Sequence, residues 1–320
     1  MVSATDSMTP ITGQRILVTG VSGWVGGPLA ASLAAAGNEV YGAARFTVAS
    51  TREPLERAGV HTVTIDLAGG SFDDVPGDLD LVLHLAISKS RQFDEAFRMN
   101  AEASADLMAW AATSSPNLQA YLHCSSTGVY QPKGHEPRTE TSAVGDSHRT
   151  MPGMPTYSIS KIAGEVLVGY QSKQLGLPTV IARLAVPYGD SYGWPLFHVM
   201  MMEKGIPIPV HLDQPTSYSP IHADDIVASL PYIVSMASTP ATTVNWAGSE
   251  VVSIEEWCAY AGELTGLTPT FEPTEHTIPA IIADPSKLLA TGFTPTVPWK
   301  DGIRRLIETS RPDLLIPSER

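Results

Sequence analysis

The chain has 320 residues, with 33 acidic and 20 basic side chains and a formal net charge of −13. Hydrophobic residues make up 43% and charged residues 17%, which supplies a sizeable core and excludes a chain disordered throughout. The acidic balance, with no run of Lys and Arg, argues against a nucleic-acid partner, because neutralising phosphates needs clustered cations.

Met1 to Gln14 is polar and lacks the apolar core of a secretory signal. Arg15–Thr19 (RILVT) reads as a buried strand and Gly23–Ala36 as a helix ended by Gly37. The uncharged stretch Ile16 to Gly37 mimics a membrane helix, with Gly23 and Gly27 spaced as in packed spans. Thr-Gly and Ser-Gly turn signals interrupt it, so the expectation is a soluble chain with no membrane partner. Glu39–Ala44, His61–Ile65 and Leu79–Leu85 read as the next strands, and Asp94–Thr113 as a long helix. Gln119–Ser125 is a strand, 131–155 an irregular loop of a length that is usually functional or mobile, and Thr156–Leu175 a helix. Thr179–Arg183 is the sixth strand. Beyond it come a broken Pro-, Met- and aromatic-rich stretch (188–222), a helix at Ala223–Met236, a short strand at Thr243–Ala247 and helices at Ser253–Thr265 and Asp301–Ser310.

Strands alternating with helices call for an α/β fold: a Rossmann-type doubly wound parallel sheet, with a smaller, interleaved C-terminal substrate lobe. Residues 12–187 read as the nucleotide-binding domain, with 223–250 returning to it. Residues 188–222 and 251–320 read as the substrate lobe.

Between the first strand and helix lies Thr19-Gly20-Val21-Ser22-Gly23-Trp24-Val25-Gly26. Gly20 suits a tight turn, Gly23 a close approach to pyrophosphate and Gly26 helix–strand packing, while the helix N-terminus offers N–H groups to phosphate. The ribose selector is expected at the end of the second strand, where Ala44-Arg45 stand without an acid. An arginine attracts a 2′-phosphate, which favours NADP and leaves NAD possible. Asp66 and Leu67, closing the third strand, are expected beside the adenine.

Tyr157 and Lys161 lie four residues apart on one helical face. A nearby cation lowers a phenol pKa, so the pair suits proton transfer at a carbonyl or hydroxyl oxygen. Ser125, Ser126 and Thr127 follow the fifth strand at the sheet's C-terminal edge, where ligands bind in open α/β folds. The nine histidines are scattered and imply no metal site. Cys124 and Cys258 cannot make a disulfide framework and fit a reducing cytoplasm.

In this order, TGVSGWVG (19–26), HLAI (84–87), Asn100, SSTGVY (125–130), YSISK (157–161), RLAVPYGD (183–190), IHADDI (221–226) and NWAG (245–248) resemble the extended, epimerase/dehydratase-like branch of the short-chain dehydrogenase/reductase superfamily. The resemblance covers nearly the whole chain. It implies Tyr157 as the acid/base, Lys161 lowering its pKa and holding the nicotinamide ribose, and Ser126 as the catalytic hydroxyl, with Thr127 adjacent. It further implies Leu85, Ala86, Ile87, Asn100 and Pro187 near the cofactor, and Ser88, Tyr188 and Trp194 near the substrate.

Departures from the family pattern are also present. Thr127-Gly128 replace the Asp-Glu of sugar dehydratases. Tyr218-Ser219-Pro220 stand where nucleotide-sugar enzymes carry a diphosphate-gripping arginine. These favour an NADP-dependent oxidoreductase acting on a carbonyl or secondary alcohol of a small, fairly apolar molecule. The alternatives are a nucleotide-sugar 4-epimerase with tightly held NAD and a non-catalytic cofactor sensor. The resemblance also suggests a homodimer paired through helices 94–113 and 156–175.

Overall fold

In the computed structural model, which describes residues 8–317, RILVT is strand β1 (Arg15–Thr19). The polar N-terminal reading rests in part on residues 1–7, outside the described residues. Ile16, Leu17 and Val18 are all fully buried, so both faces of β1 are covered. This explains an apolar run without alternation. Six parallel neighbours complete the sheet: β2 (Glu39–Ala44), β3 (His61–Thr64), β4 (Leu81–His84), β5 (Ala120–Ser126), β6 (Thr179–Leu184) and an edge strand, Thr242–Trp246. Their order is edge strand, β6, β5, β4, β1, β2, β3. Ile16 pairs with Val40 on one side and Leu81 on the other. The chain therefore winds outward from β1 through β2 and β3, then crosses to β4. That reversal opens a crevice at the C-terminal ends of β1 and β4.

Helices α1 (Gly26–Ala35), α2 (Arg52–Arg57), α3 (Phe93–Phe97), α4 (Ala103–Ser114) and α5 (Tyr157–Leu175) follow in the first half. The second half adds α6 (Trp194–Glu203), α7 (Ala223–Ser235), α8 (Ile254–Thr265), α9 (Ser286–Leu289) and α10 (Trp299–Ser310). Ile16, Val18 and Leu83 pack with Leu29 of α1 and Leu230 of α7. Leu17 and Val82, facing the other way, pack with Leu107 of α4 and Val168 of α5. A third core joins Val199 of α6, Trp257 of α8 and Ile303 and Leu306 of α10 into the small lobe. Its α8 starts on a capping box, in which Glu256 N donates to Ser253 Oγ (3.0 Å) and Ser253 N to Glu256 Oε2 (2.8 Å).

Several expectations need correction. The helix expected from Gly23 begins at Gly26, because Gly23 N closes a tight turn onto Gly20 O at 3.0 Å. The long helix at 94–113 is interrupted by a π turn, Arg98–Glu102. Helix α6 lies in the stretch read as broken: its WPLFHVMMME is apolar all round and has no periodicity to see. Assigning all of 251–320 to the small lobe is too coarse, since Leu288 of α9 and Phe293 pack into the core beneath α7 and the edge strand. No described helix is long and apolar enough to cross a membrane.

Candidate active site

The glycine turn sits at the crevice. Gly20 adopts φ +75°, and a Cβ there would lie 2.7 Å from Ala86 N. A Cβ on Gly26 would lie 2.5 Å from Gly20 O. Only glycine lets the turn, the β4 loop and the start of α1 close on one another. Thr19 Oγ1 pins that loop, accepting from Leu85 N and Ala86 N at 3.2 Å each and contacting His84 Nδ1 at 2.8 Å.

Two cavities flank the turn and share Gly20, Ser22, Gly23, Leu85 and Ile87. The smaller, about 160 Å³, is also lined by Ala43, Ala44, Arg45, Ile65, Leu67, Ala86 and Met99. Arg45 is exposed there and makes no side-chain hydrogen bond among the described residues. The larger, about 410 Å³, takes Trp24, Val25 and Gly26 from the turn, Ser125 to Gly128 from the end of β5, and Tyr157 from α5. Its far wall is Leu184, Ala185, Val186, Pro187, Trp194, Tyr218, Ile278 and Ile281. Two cavities that share the lining of close-packed glycines, at a helix N-terminus, fit the two ends of an elongated dinucleotide.

Tyr157 is the first residue of α5. Burial dominates its environment and pushes the phenol up to about 12, while the Ser126 hydroxyl acts in the opposite direction. Ser126 Oγ accepts from Gly128 N at 3.1 Å, which fixes the hydroxyl on the short turn Thr127–Val129. Lys161, one turn along α5, is buried behind them and donates from Nζ to Cys124 O at 2.6 Å. Burial lowers its pKa. The phenol is set in this arrangement by burial and by the Ser126 hydroxyl, while one donor of the Lys161 ammonium goes to the β5 carbonyl.

Five residues expected at the site do not line either cavity. Lys161 lies behind Tyr157, as described. Asp66 instead caps the short turn Leu67–Gly69, its carboxylate accepting from Ala68 N at 3.2 Å. Asn100 sits inside the π turn and is a clamp: Oδ1 accepts from Ser88 N (2.7 Å), while Nδ2 donates to Ser88 O and to Ser160 Oγ (2.9 Å each). It thus ties the β4 loop to α5. Ser88 is held in that clamp, and its hydroxyl accepts from Ser90 N. Tyr188 faces away from Pro187 and is buried in the small-lobe core, packed edge-on to His222 at 5.2 Å. Pro187 and Tyr188 are successive residues of one extended segment, so their side chains point to opposite sides.

Sequence reasoning missed Lys89, His148, Met154, Tyr218, Ile278 and Ile281, all of which line the larger cavity. The unusual length of the 131–155 loop was the one available signal for His148 and Met154. Nothing in the local pattern marked Ile278 and Ile281, which reach the cavity through tertiary packing.

The sequence model of the NAD-dependent epimerase/dehydratase family matches residues 16–242. The chain belongs to this family. It is an NAD(P)-dependent enzyme of the extended short-chain dehydrogenase/reductase type. No curated protein matches its sequence. Among solved structures it resembles UDP-glucuronic acid 4-epimerase from Bacillus cereus in complex with NAD (TM-score 0.78, 21% identity, 92% of this chain and 96% of that one). UDP-glucose 4-epimerase from Thermotoga maritima is similar as well (TM-score 0.77, 18% identity, 94% and 99%). So is the Bordetella bronchiseptica enzyme WbmG in complex with NAD (TM-score 0.76, 20% identity, 93% and 94%).

The far wall of the larger cavity is held by its own hydrogen bonds and ring packing. Tyr218 donates to Ile278 O at 2.8 Å and packs edge-on to Trp194 at 5.3 Å. Ser219 is stapled to the backbone of Ala283. Arg183, a candidate to reach in as a cation, is instead locked in a buried pair with Glu165 at 2.7 Å and lies over the Tyr130 ring. Burial works against its charge, yet the Glu165 carboxylate raises the guanidinium above its ordinary value. Lys89, over the Trp24 ring at 5.6 Å, is the only Lys or Arg among the described residues lining the larger cavity.

Proposed function

We propose that this enzyme transfers hydride between a nicotinamide and a carbinol or carbonyl carbon, with Tyr157 exchanging the proton on the oxygen. The observation that carries this reading is the convergence of the glycine turn, Ser126 and Tyr157 on one cavity. Ala44, Arg45 and Leu67 would hold the adenosine end of the dinucleotide, and Trp24, Pro187 and Lys161 the nicotinamide end. When bound, the nicotinamide supplies or accepts the hydride. In the reductive direction, Ser126 and Tyr157 orient the carbonyl oxygen and Tyr157 gives it a proton. The phenol is protonated at neutral pH, as a proton donor must be. In the oxidative direction the same phenol must first lose its proton, so that direction accelerates as pH rises.

Two forms of this chemistry are supported by different observations. The neighbours, UDP-sugar 4-epimerases crystallised with NAD among them, support a nucleotide-sugar 4-epimerase, and the comparisons back that form better than an NADP-dependent carbonyl reductase. The far wall of Trp194, Tyr218, Ile278 and Ile281 supports a reductase of a fairly apolar molecule, since two phosphates without cationic partners are costly to bury. Exposed Arg45 supports NADP, and the neighbours' NAD the other cofactor. The reading as a cofactor sensor is set aside. A cytoplasmic homodimer completes the proposal, with the exposed Val166 and Tyr170 of α5 on the pairing face.

The test is to purify the protein, release and identify any bound nucleotide, and assay UDP-sugars and a carbonyl panel with both cofactors. Bound NAD with sugar inversion and no added cofactor supports the epimerase. NADPH consumed only with a carbonyl supports the reductase. Turnover by neither route overturns the hydride-transfer reading.

A further inference from the structure

His148 is not part of the hydride-transfer machinery described above, yet it lines the same cavity, with its ring 4.9 Å from that of Tyr157. It is 3% exposed. Its Nδ1 lies 2.7 Å from Ser158 Oγ and 3.1 Å from Ser147 Oγ, and both hydroxyls donate to Gly128 O, at 2.7 and 2.6 Å. A Cβ on Gly128 would come within 2.6 Å of His148 Cε1, so the ring is seated directly on the turn that carries Ser126 and Thr127. The backbone holds it from the other side: Met151 N donates to His148 O at 2.9 Å in the turns that lead into α5.

One ring nitrogen is thus fully engaged. The other, Nε2, makes no hydrogen bond among the described residues and is not a buried orphan. Burial takes the imidazole down to about 4, so it is uncharged at neutral pH. A neutral ring whose Nδ1 donates to Ser158 offers Nε2 as an acceptor to a hydroxyl. Ser147 and Ser158 both give their protons to Gly128 O, so Nδ1 carries the ring proton and Nε2 is left to accept from a hydroxyl.

We propose that His148 is a specificity-determining residue that binds a second oxygen of the substrate, carried on the carbon next to the one that Tyr157 serves. The substrate class is then α-oxygenated: a vicinal diol in the reduced form and an α-hydroxy ketone in the oxidised form. The inference rests on the hydride-transfer reading and narrows its substrate. A sugar ring and a small apolar hydroxy ketone both satisfy it.

Two measurements separate this inference from the reading it rests on. The first follows NADPH and NADH oxidation by the wild type with paired ketones that differ in the α-hydroxyl, acetoin against butanone and benzoin against deoxybenzoin. Oxidation with no member of the panel, together with no inversion of a UDP-sugar, counts against the hydride-transfer reading. The second is independent of turnover. Tyr157→Phe protein loaded with oxidised cofactor is titrated with hydrobenzoin and with its mono-hydroxyl analogue. The diol is expected to bind about tenfold more tightly, the scale of one hydrogen bond. Adding His148→Phe should erase that difference without changing cofactor affinity, and His148→Gln should restore part of it. Equal affinity for the two alcohols, no binding of either, or an equal loss of both in the His148→Phe protein would overturn the role of His148.

Discussion

The two walls of the cleft are built by different means. The sheet-side wall is largely backbone and small side chains: Gly20 and Gly26 close on the β4 loop, and Thr19 and Asn100 pin the surrounding turns through hydrogen bonds. The small-lobe wall is large side chains, with Trp194, Tyr218, Ile278 and Ile281 held by the packing of α6, α8 and α10. A backbone wall reads what is common to all dinucleotides, whereas a side-chain wall can be rebuilt for each substrate without disturbing the first. This is how one family can keep its cofactor groove and vary its chemistry.

The largest expected effect lies where the two walls meet. Tyr157→Phe removes the proton donor of the proposed reaction, and turnover should fall roughly 10²- to 10⁴-fold. Dinucleotide binding belongs to the backbone wall and should be retained. Parallel loss of affinity and rate would show that the walls are not separable in this way.

The next effect concerns the frame under the catalytic strand. Glu165 and Arg183 have side chains 10% and 7% exposed. Glu165→Gln leaves a buried guanidinium unmatched and should cost about 3–5 kcal/mol in chemical denaturation. The double change Glu165→Leu with Arg183→Met should recover most of it. A loss well below this range would mean that water reaches the pair.

A smaller change is expected at the adenosine end. Arg45→Asp should lower the preference for NADP over NAD roughly 10- to 100-fold, the scale of a charge-assisted hydrogen bond. Dinucleotide titrations measure it, and a wild type that already prefers NAD would remove the basis for the Arg45 argument.

Stability should also depend on pH. Burial holds His148 and His198 at about 4 and His84 at about 3 in the folded chain, against 6.5 for a free imidazole. The unfolded chain takes up these protons first. Stability from this source is therefore complete above about pH 6.5 and declines as pH falls towards 4. The Tm should drop between pH 7 and pH 5, and a flat profile would contradict neutral burial of these rings.

How much of this was legible depends on which wall is considered. β1 and β2 were bounded in the sequence to the residue, because buried parallel strands are short apolar runs ended by glycine or a polar turn. Gly20, Gly23, Ser126 and Tyr157 line the larger cavity as expected; turn chemistry marks the glycines, whereas Ser126 and Tyr157 were singled out chiefly by the family resemblance. Tyr188 was misjudged because Pro187 beside it faces the cavity, and alternation in a two-residue strand is invisible in sequence. Ile278, Ile281 and His148 reach the site through contacts distant along the chain, so no local period reveals them. The state of Lys161 was unreadable for a related reason: its partner, the Cys124 carbonyl, is a backbone atom contributed by a separate strand.

The central claim is that a nicotinamide in the glycine-turn groove exchanges hydride with a carbon whose oxygen Tyr157 serves. The most direct measurement supplies reduced cofactor deuterated at the nicotinamide C4 position to the wild-type enzyme with the carbonyl panel and analyses the alcohol by mass spectrometry. The account predicts one deuterium on the carbinol carbon. An alcohol carrying solvent hydrogen at that carbon, or no alcohol from any member of the panel together with no inversion of a UDP-sugar, would contradict it.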